Sequence, residues 1–257
     1  MYLAEAKDGG TKFALKVQQV KKISEALHKQ MHEELAILYK LDHPYICQYV
    51  ESFEDEKYIY IIMEFCPGKV LMDRLDEQGR FTEFQAAKCI YKIIEGMNHV
   101  HHSSIVHRDL KPENIIIDDN GDPKIIDFGL GKDTNNNTRL LKSFVGSKLY
   151  MAPEILMGQA HSNTCDMWSI GIILFLIISG SYPFDLSNLE KEIIEAPILF
   201  PKGTWADVSL LCQDFIRKLL DKSSSTRISA AKALEHPWFK ILENDETYKA
   251  EIAQKVD

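Results

Sequence analysis

The sequence predicts an α+β chain of two unequal lobes, a small β-rich lobe over residues 1–66 and a larger, mainly helical one over 67–257. Three observations carry this prediction. Up to Cys66, apolar and polar residues alternate in short runs, the period of half-buried strands. At Cys66-Pro67-Gly68 the composition shifts, and beyond it apolar residues recur at helical spacing. The run MWSIGIILFLII, residues 167–178, is apolar on every side and reads as a helix through the centre of a core. It is shorter than the roughly 18 residues a membrane span needs.

The elements follow in order. YLAEA and KFALKV alternate on either side of Asp8-Gly9-Gly10, so residues 2–17 read as an antiparallel hairpin. A lone hairpin is not stable, so further strands must pair with it. Ile23, Leu27, Met31, Leu35 and Leu38 are spaced as one face of a helix. VESFEDEKYIYIIMEF, residues 50–65, reads as strand, acidic turn and strand. In the second lobe, Thr82 and Gln85 form a capping box at the head of a helix running to His102. The polar stretch around Asn135, Asn136 and Asn137 has no period and reads as a loop.

Bulk properties narrow the function. Of 257 residues, 45% are hydrophobic and 26% charged, the balance of a soluble globular chain. A net charge of −8 argues against general nucleic-acid binding, which needs a basic face. The five cysteines form no CxxC pair, which fits the reducing cytoplasm or nucleus. No signal peptide or membrane anchor is visible, so no membrane association is expected.

The chemistry concentrates in IVHRDLKPENIIIDDNGDPKIIDFG, residues 105–129. Two β-rich runs, Ile115–Ile117 and Lys124–Ile126, flank a turn, and polar clusters border them. A hairpin here sets the Asn114 and Asp127 ends side by side. Amide and carboxylate oxygens on adjacent strand ends suit a hard cation such as Mg²⁺. Asp109 can face the same site and accept a proton.

These residues, with FALK at 13–16, APE at 152–154, DMWSIG at 166–171 and HPWF at 236–239, resemble the eukaryotic protein kinase family. The six motifs stand in the family's order and cover nearly the whole chain. The resemblance implies the bilobal kinase fold and phosphoryl transfer from ATP with Mg²⁺. It further implies that Lys16 holds the α and β phosphates, and that its partner is a glutamate of the following helix. Glu33 and Glu34 are both available, and Glu34, on the apolar face, is the better placed. Asp109 is implied as the base, Lys111 as a positive charge beside the transferred group, and Asn114 and Asp127 as metal ligands. Met63, Glu64, Cys66 and Ile116 are implied at the adenine site. Phe128, His107 and Leu38 resemble the family's packed stack, and Glu154 and Arg227 its buried ion pair.

Lys111 and the Gly146-Ser147 pair resemble serine/threonine rather than tyrosine kinases, so protein Ser and Thr hydroxyls are the expected acceptors. The HPWF and GSKLYMAPEIL segments are most similar to the calcium/calmodulin-dependent and calcium-dependent kinase group. Val70 stands where relatives that prefer basic residues carry a glutamate, while Glu113 is retained, which implies only a weak basic preference. Arg108 implies an anionic partner, with Ser143 the expected target of an upstream activating kinase. A monomer is expected. Counting back from Lys16 places Met1 at the last valine of the family's glycine-rich loop, so this sequence lacks that loop and the strand before it. The alternative is therefore a nucleotide-binding pseudokinase or scaffold. Pseudokinases usually lack Lys16, Asp109 or Asp127, and all three are present here, which favours the enzyme.

Other clusters read more plainly. His99, His101 and His102 are expected at a solvated helix end, without the further ligands a zinc site needs. Asp118–Asp122 is expected to be a hairpin turn, since Pro123 occupies the position where a calcium loop needs glycine.

Overall fold

A computed structural model describes residues 1–7, 9–19, 25–128, 148–160 and 162–244. The first lobe is a four-stranded antiparallel sheet of β1 (Tyr2–Glu5), β2 (Lys12–Gln19), β3 (Tyr49–Glu54) and β4 (Tyr58–Glu64), in the order β1-β2-β4-β3. The β1–β2 hairpin forms as expected, with Tyr2 opposite Leu15 and Glu5 opposite Lys12. Its other partner is β4, which sets Ala14 against Met63 and Lys16 against Ile61. Between β3 and β4, the Asp55 carboxylate accepts from the amides of Lys57 and Tyr58 at 2.7 and 2.8 Å and closes the acidic turn.

Helix α1 (Glu25–Leu38) packs on this sheet. Met31, Leu35 and Leu38 are buried at the predicted spacing. The chain between α1 and β3 then reaches into the second lobe, where Tyr45 and Cys47 exchange backbone hydrogen bonds with Ile125 at 2.9 and 2.8 Å. The two lobes are thereby tied beside Asp127.

The second lobe opens with β5 (Lys69–Val70) and α2 (Leu71–Gln78), then α3 (Glu83–His102). Both halves of the expected capping box form: the Gln85 amide donates to Thr82 Oγ1 at 3.2 Å, and the Thr82 amide to Gln85 Oε1 at 2.9 Å. Strands β6 (Ile115–Ile117) and β7 (Pro123–Ile125) complete a small sheet in the order β5-β6-β7. Asp118 closes the β6–β7 turn, its carboxylate accepting from the amides of Asn120 and Asp122 at 2.9 and 2.8 Å. Gly68 permits the crossing between lobes: its φ is +126°, and an added Cβ would strike the Ile117 carbonyl.

Helices α4 (Pro153–Leu156), α5 (Thr164–Ser179), α6 (Leu189–Glu195), α7 (Lys202–Trp205), α8 (Leu210–Leu219) and α9 (Ala230–Leu234) build the rest. Every residue of α5 from Cys165 to Ser179 is buried, so the apolar run is the central helix of the lobe. Gly171 lets α5 meet Leu219 and Leu220 closely, because a Cβ there would lie 2.6 Å from a Leu220 methyl. No helix among the described residues is long and apolar enough to cross a membrane. The Asn135–Asn137 stretch and Ser143 lie outside the described residues.

Candidate active site

The catalytic-loop segment is held from beneath by one buried carboxylate. Asp166, at the first turn of α5, accepts from the amides of His107 and Arg108, each at 2.9 Å, and from His101 Nε2 at 2.9 Å. This pair of backbone bonds keeps Arg108 at φ 64°, a left-handed conformation that arginine seldom adopts. The turn it makes separates buried His107 from Asp109 and presents the latter towards the cleft. Burial pushes the Asp166 carboxyl up, but the hydrogen bonds and charge of His101, with His107, outweigh it and hold it below its ordinary range.

His101 corrects an expectation. Of the three histidines at the end of α3, only His102 is exposed; the His101 side chain is buried and seated on Asp166. A histidine that follows the helix period by chance cannot be told from one facing a carboxylate 65 residues away. The Asp166 role was carried in the sequence only by its place in DMWSIG.

Around Asp109 the polar groups converge. Lys111 Nζ donates to Asp109 Oδ2 at 3.2 Å, and Asn114 Nδ2 to the Asp109 carbonyl at 2.7 Å and to Oδ2 at 3.5 Å. With its amide nitrogen committed to Asp109, Asn114 keeps its Oδ1 for a cation. The β6–β7 hairpin brings Asp127 alongside, since the Ile126 amide donates to the Asn114 carbonyl at 2.9 Å. Lys16 Nζ donates directly to Asp127 Oδ1, joining the sheet of the first lobe to this cluster. The Glu34 side chain, expected to partner Lys16, lies outside the described residues, as does that of Glu33. The donor set of one amide and one carboxylate oxygen fits a hard divalent ion such as Mg²⁺.

Phe128 seals the cluster from behind. Its ring centroid lies 4.7 Å from that of buried His107 and 6.3 Å from that of Tyr49. Burial pushes the His107 imidazole below its ordinary pKa, against the pull of Asp166. Leu38 is buried in the same hydrophobic core.

Above Asp127 opens a cavity of about 280 Å³, lined by Ala14, Met63, Cys66, Ile116 and Ile126 among others. Ala14 lines it, and Lys16, two residues further along β2, shares the same face of the strand and reaches Asp127 at the edge of the cavity. The structure thus brings the sequence-identified Met63, Glu64, Cys66 and Ile116 to one apolar pocket and adds Ala14 and Ile126, to which the motifs around them assign no role. The Glu64 carboxylate itself turns away to Lys124 at 2.7 Å, so only its backbone side serves the cavity. A larger cavity of about 530 Å³ lies behind this linking segment, among Pro44, Lys92 and Asp122, and includes none of the catalytic-loop residues.

Far from the cleft, Arg227 grips Glu154 with two bonds of 2.7 and 2.8 Å, both side chains buried, and also donates to the carbonyls of Thr164 and Asp221. Each of the three guanidinium nitrogens has an oxygen partner, which is what makes a buried ion pair tolerable.

Comparison with known proteins agrees with this architecture. The family described as protein kinase domain matches residues 1–239. The calcium/calmodulin-dependent protein kinase cmkA of Emericella nidulans is 37% identical over 82% of this chain and 53% of its own length. Myosin light chain kinase A of Dictyostelium discoideum is 34% identical over 96% of this chain and 85% of its own length. Calcium-dependent protein kinase 5 of Plasmodium falciparum is 35% identical over 92% of this chain and 42% of its own length. The chain thus spans about half the length of most of these relatives. Its lobes, its cleft and the family match over nearly all of its length agree: the chain belongs to the protein kinase family.

Proposed function

We propose that the protein transfers the γ-phosphate of ATP to serine or threonine hydroxyls of proteins, in the manner of the calcium/calmodulin-dependent group. The observation that carries the reading is the convergence of Asp109, Lys111, Asn114, Lys16 and Asp127 below one apolar pocket. In this reading, Ala14, Met63 and Ile116 enclose adenine, and backbone groups of residues 64–66 meet its edge. Lys16 steadies the phosphates. Asp109 orients the acceptor hydroxyl and takes its proton, a contribution typically worth about 10² to 10⁴ in rate. Lys111 offsets negative charge beside the transferred group. Asn114 and Asp127 would hold Mg²⁺, which supplies charge neutralisation at the phosphates.

The test is phosphate transfer from Mg-ATP to a mixed Ser/Thr peptide pool, with Asp109→Asn as the blank. Transfer above the blank that disappears on chelating Mg²⁺ supports the reading; transfer equal to the blank refutes it. The finer expectations belong here too. Substrates carry at most a weak preference for basic residues, and a peptide array strongly dependent on arginine three residues upstream would contradict this. Ser143 is the proposed target of an upstream kinase, its phosphate pairing with Arg108. Unchanged activity in Ser143→Ala after exposure to an activating lysate would refute that. The protein acts as a monomer in the cytoplasm or nucleus, with its lobes divided at Cys66.

A further inference from the structure

On the outer side of the first lobe, His28 and His32 stand one turn apart on α1 and face Glu54 at the end of β3. Both Nε2 atoms point at the same Glu54 Oε2, at 3.1 and 3.0 Å, and the two rings are 4.6 Å apart. The three ligand atoms lie within 4.8 Å of one another. All three side chains are partly exposed, so an ion reaches them directly from water.

We propose that His28, His32 and Glu54 form a binding site for a divalent transition cation of the zinc type, which when bound straps α1 to the sheet. Two imidazoles and one carboxylate match borderline ions such as Zn²⁺, whereas Mg²⁺ and Ca²⁺ call for oxygen ligands. Ligand bonds of roughly 2.0 to 2.2 Å put donor atoms on one ion about 3.3 Å apart, within a small side-chain adjustment of the spacing here. Three protein ligands leave the fourth tetrahedral position to water. The spacing is not that of the zinc proteases: in H-E-x-x-H a glutamate follows the first histidine, and here Lys29 does. Its effect is mechanical. The ligands come from a helix and a strand separated by more than 20 residues of sequence, so one ion fixes α1 against the sheet.

A second cluster with two soft thiol ligands, Cys47, Glu64 and Cys66, sits at the apolar pocket and must be separated from this one. Zn²⁺ is titrated calorimetrically into the whole chain, into His28→Gln/His32→Gln, into Glu54→Gln and into Cys47→Ser/Cys66→Ser, with Co²⁺ absorption as a second probe. The expected result is saturable binding that survives loss of the cysteines and shows no sulfur-to-cobalt charge transfer. Losing ligands in the histidine variant should weaken it by at least the roughly 10- to 100-fold that a lost outer partner costs. Glu54→Gln should weaken it as well, which keeps the test decisive if the double variant fails to fold. Bound Zn²⁺ should also slow amide exchange across residues 25–38, and Mg²⁺ should not. Absence of saturable binding, affinity unchanged in the histidine and Glu54 variants, affinity that follows the cysteines, or unaltered exchange in α1 would overturn the proposal.

Discussion

The two sides of the cleft are built to different tightness. Below it, Asp109 stands on a floor whose supports are fully buried: Asp166, His107, the apolar helix α5 and, deeper, the Glu154–Arg227 pair. Above it, β2 contains no fully buried residue. Burial in this sheet is concentrated in β4, where Ile59, Ile61 and Met63 join the core, so β2 is the less covered strand. The difference teaches that Asp109, the proposed base, is fixed by buried anchors, whereas Ala14 and Lys16, proposed to face the nucleotide, ride on the less covered strand of the first lobe.

Breaking the floor should give the largest effect. Arg227→Met leaves Glu154 buried without its partner, which costs about 3 to 5 kcal/mol and lowers the melting temperature by roughly ten degrees. Thermal denaturation checks this, and a loss of only a degree or two would mean the floor is not the stiffer side. Lys16→Met should act in the opposite sense. A lost electrostatic donor reduces kcat/KM by roughly 10² to 10³, while melting changes far less than in Arg227→Met, because Lys16 and Asp127 both remain partly exposed. Kinetics and melting of the same sample separate the two.

The pH dependence sharpens the contrast further. His107 has a lowered pKa in the folded protein, so the unfolded chain takes up its proton first, near the ordinary value of about 6.5. Its contribution is therefore complete above that pH and withdrawn as the pH falls. Asp166 is also lowered, and its share is lost only in stronger acid, below about 3.9. The melting advantage of wild type over His107→Phe should narrow between about pH 7 and pH 5; a constant gap would show that burial does not control this histidine. The smallest effect expected is that of Thr82→Ala, which removes the cap of α3 and costs about 1 kcal/mol by denaturant titration.

Much of this was legible in the sequence where the signal was local. The β1–β2 alternation, the Thr82–Gln85 box, the β6–β7 turn and the all-round apolar run of α5 each depend on neighbours within a few residues. Lys16, Asp109, Lys111, Asn114 and Asp127 were legible because they lie in short motifs, whereas Met63, Glu64, Cys66 and Ile116 were implied by the resemblance alone. What stayed hidden involves residues far apart in sequence. His101 was read as a solvated helix end, yet it rests on Asp166. Glu64 lines the pocket as expected, but nothing local shows that its carboxylate pairs with Lys124, 60 residues away. Ala14 and Ile126 lie inside quoted segments but were assigned no role there, although both line the cavity.

By itself, then, the sequence determined which segments become strands and helices, which run forms the core of the larger lobe, and which residue types carry the chemistry. These follow from periodicity, turn residues and caps, whose energies are decided within one or two turns of chain. Only the tertiary structure decided that Lys16 meets Asp127, that one carboxylate holds both His107 and Arg108, and that His28, His32 and Glu54 share a point in space. Those contacts arise when whole elements dock to bury their apolar faces, and the polar groups brought together by that docking have no signature in the local chain.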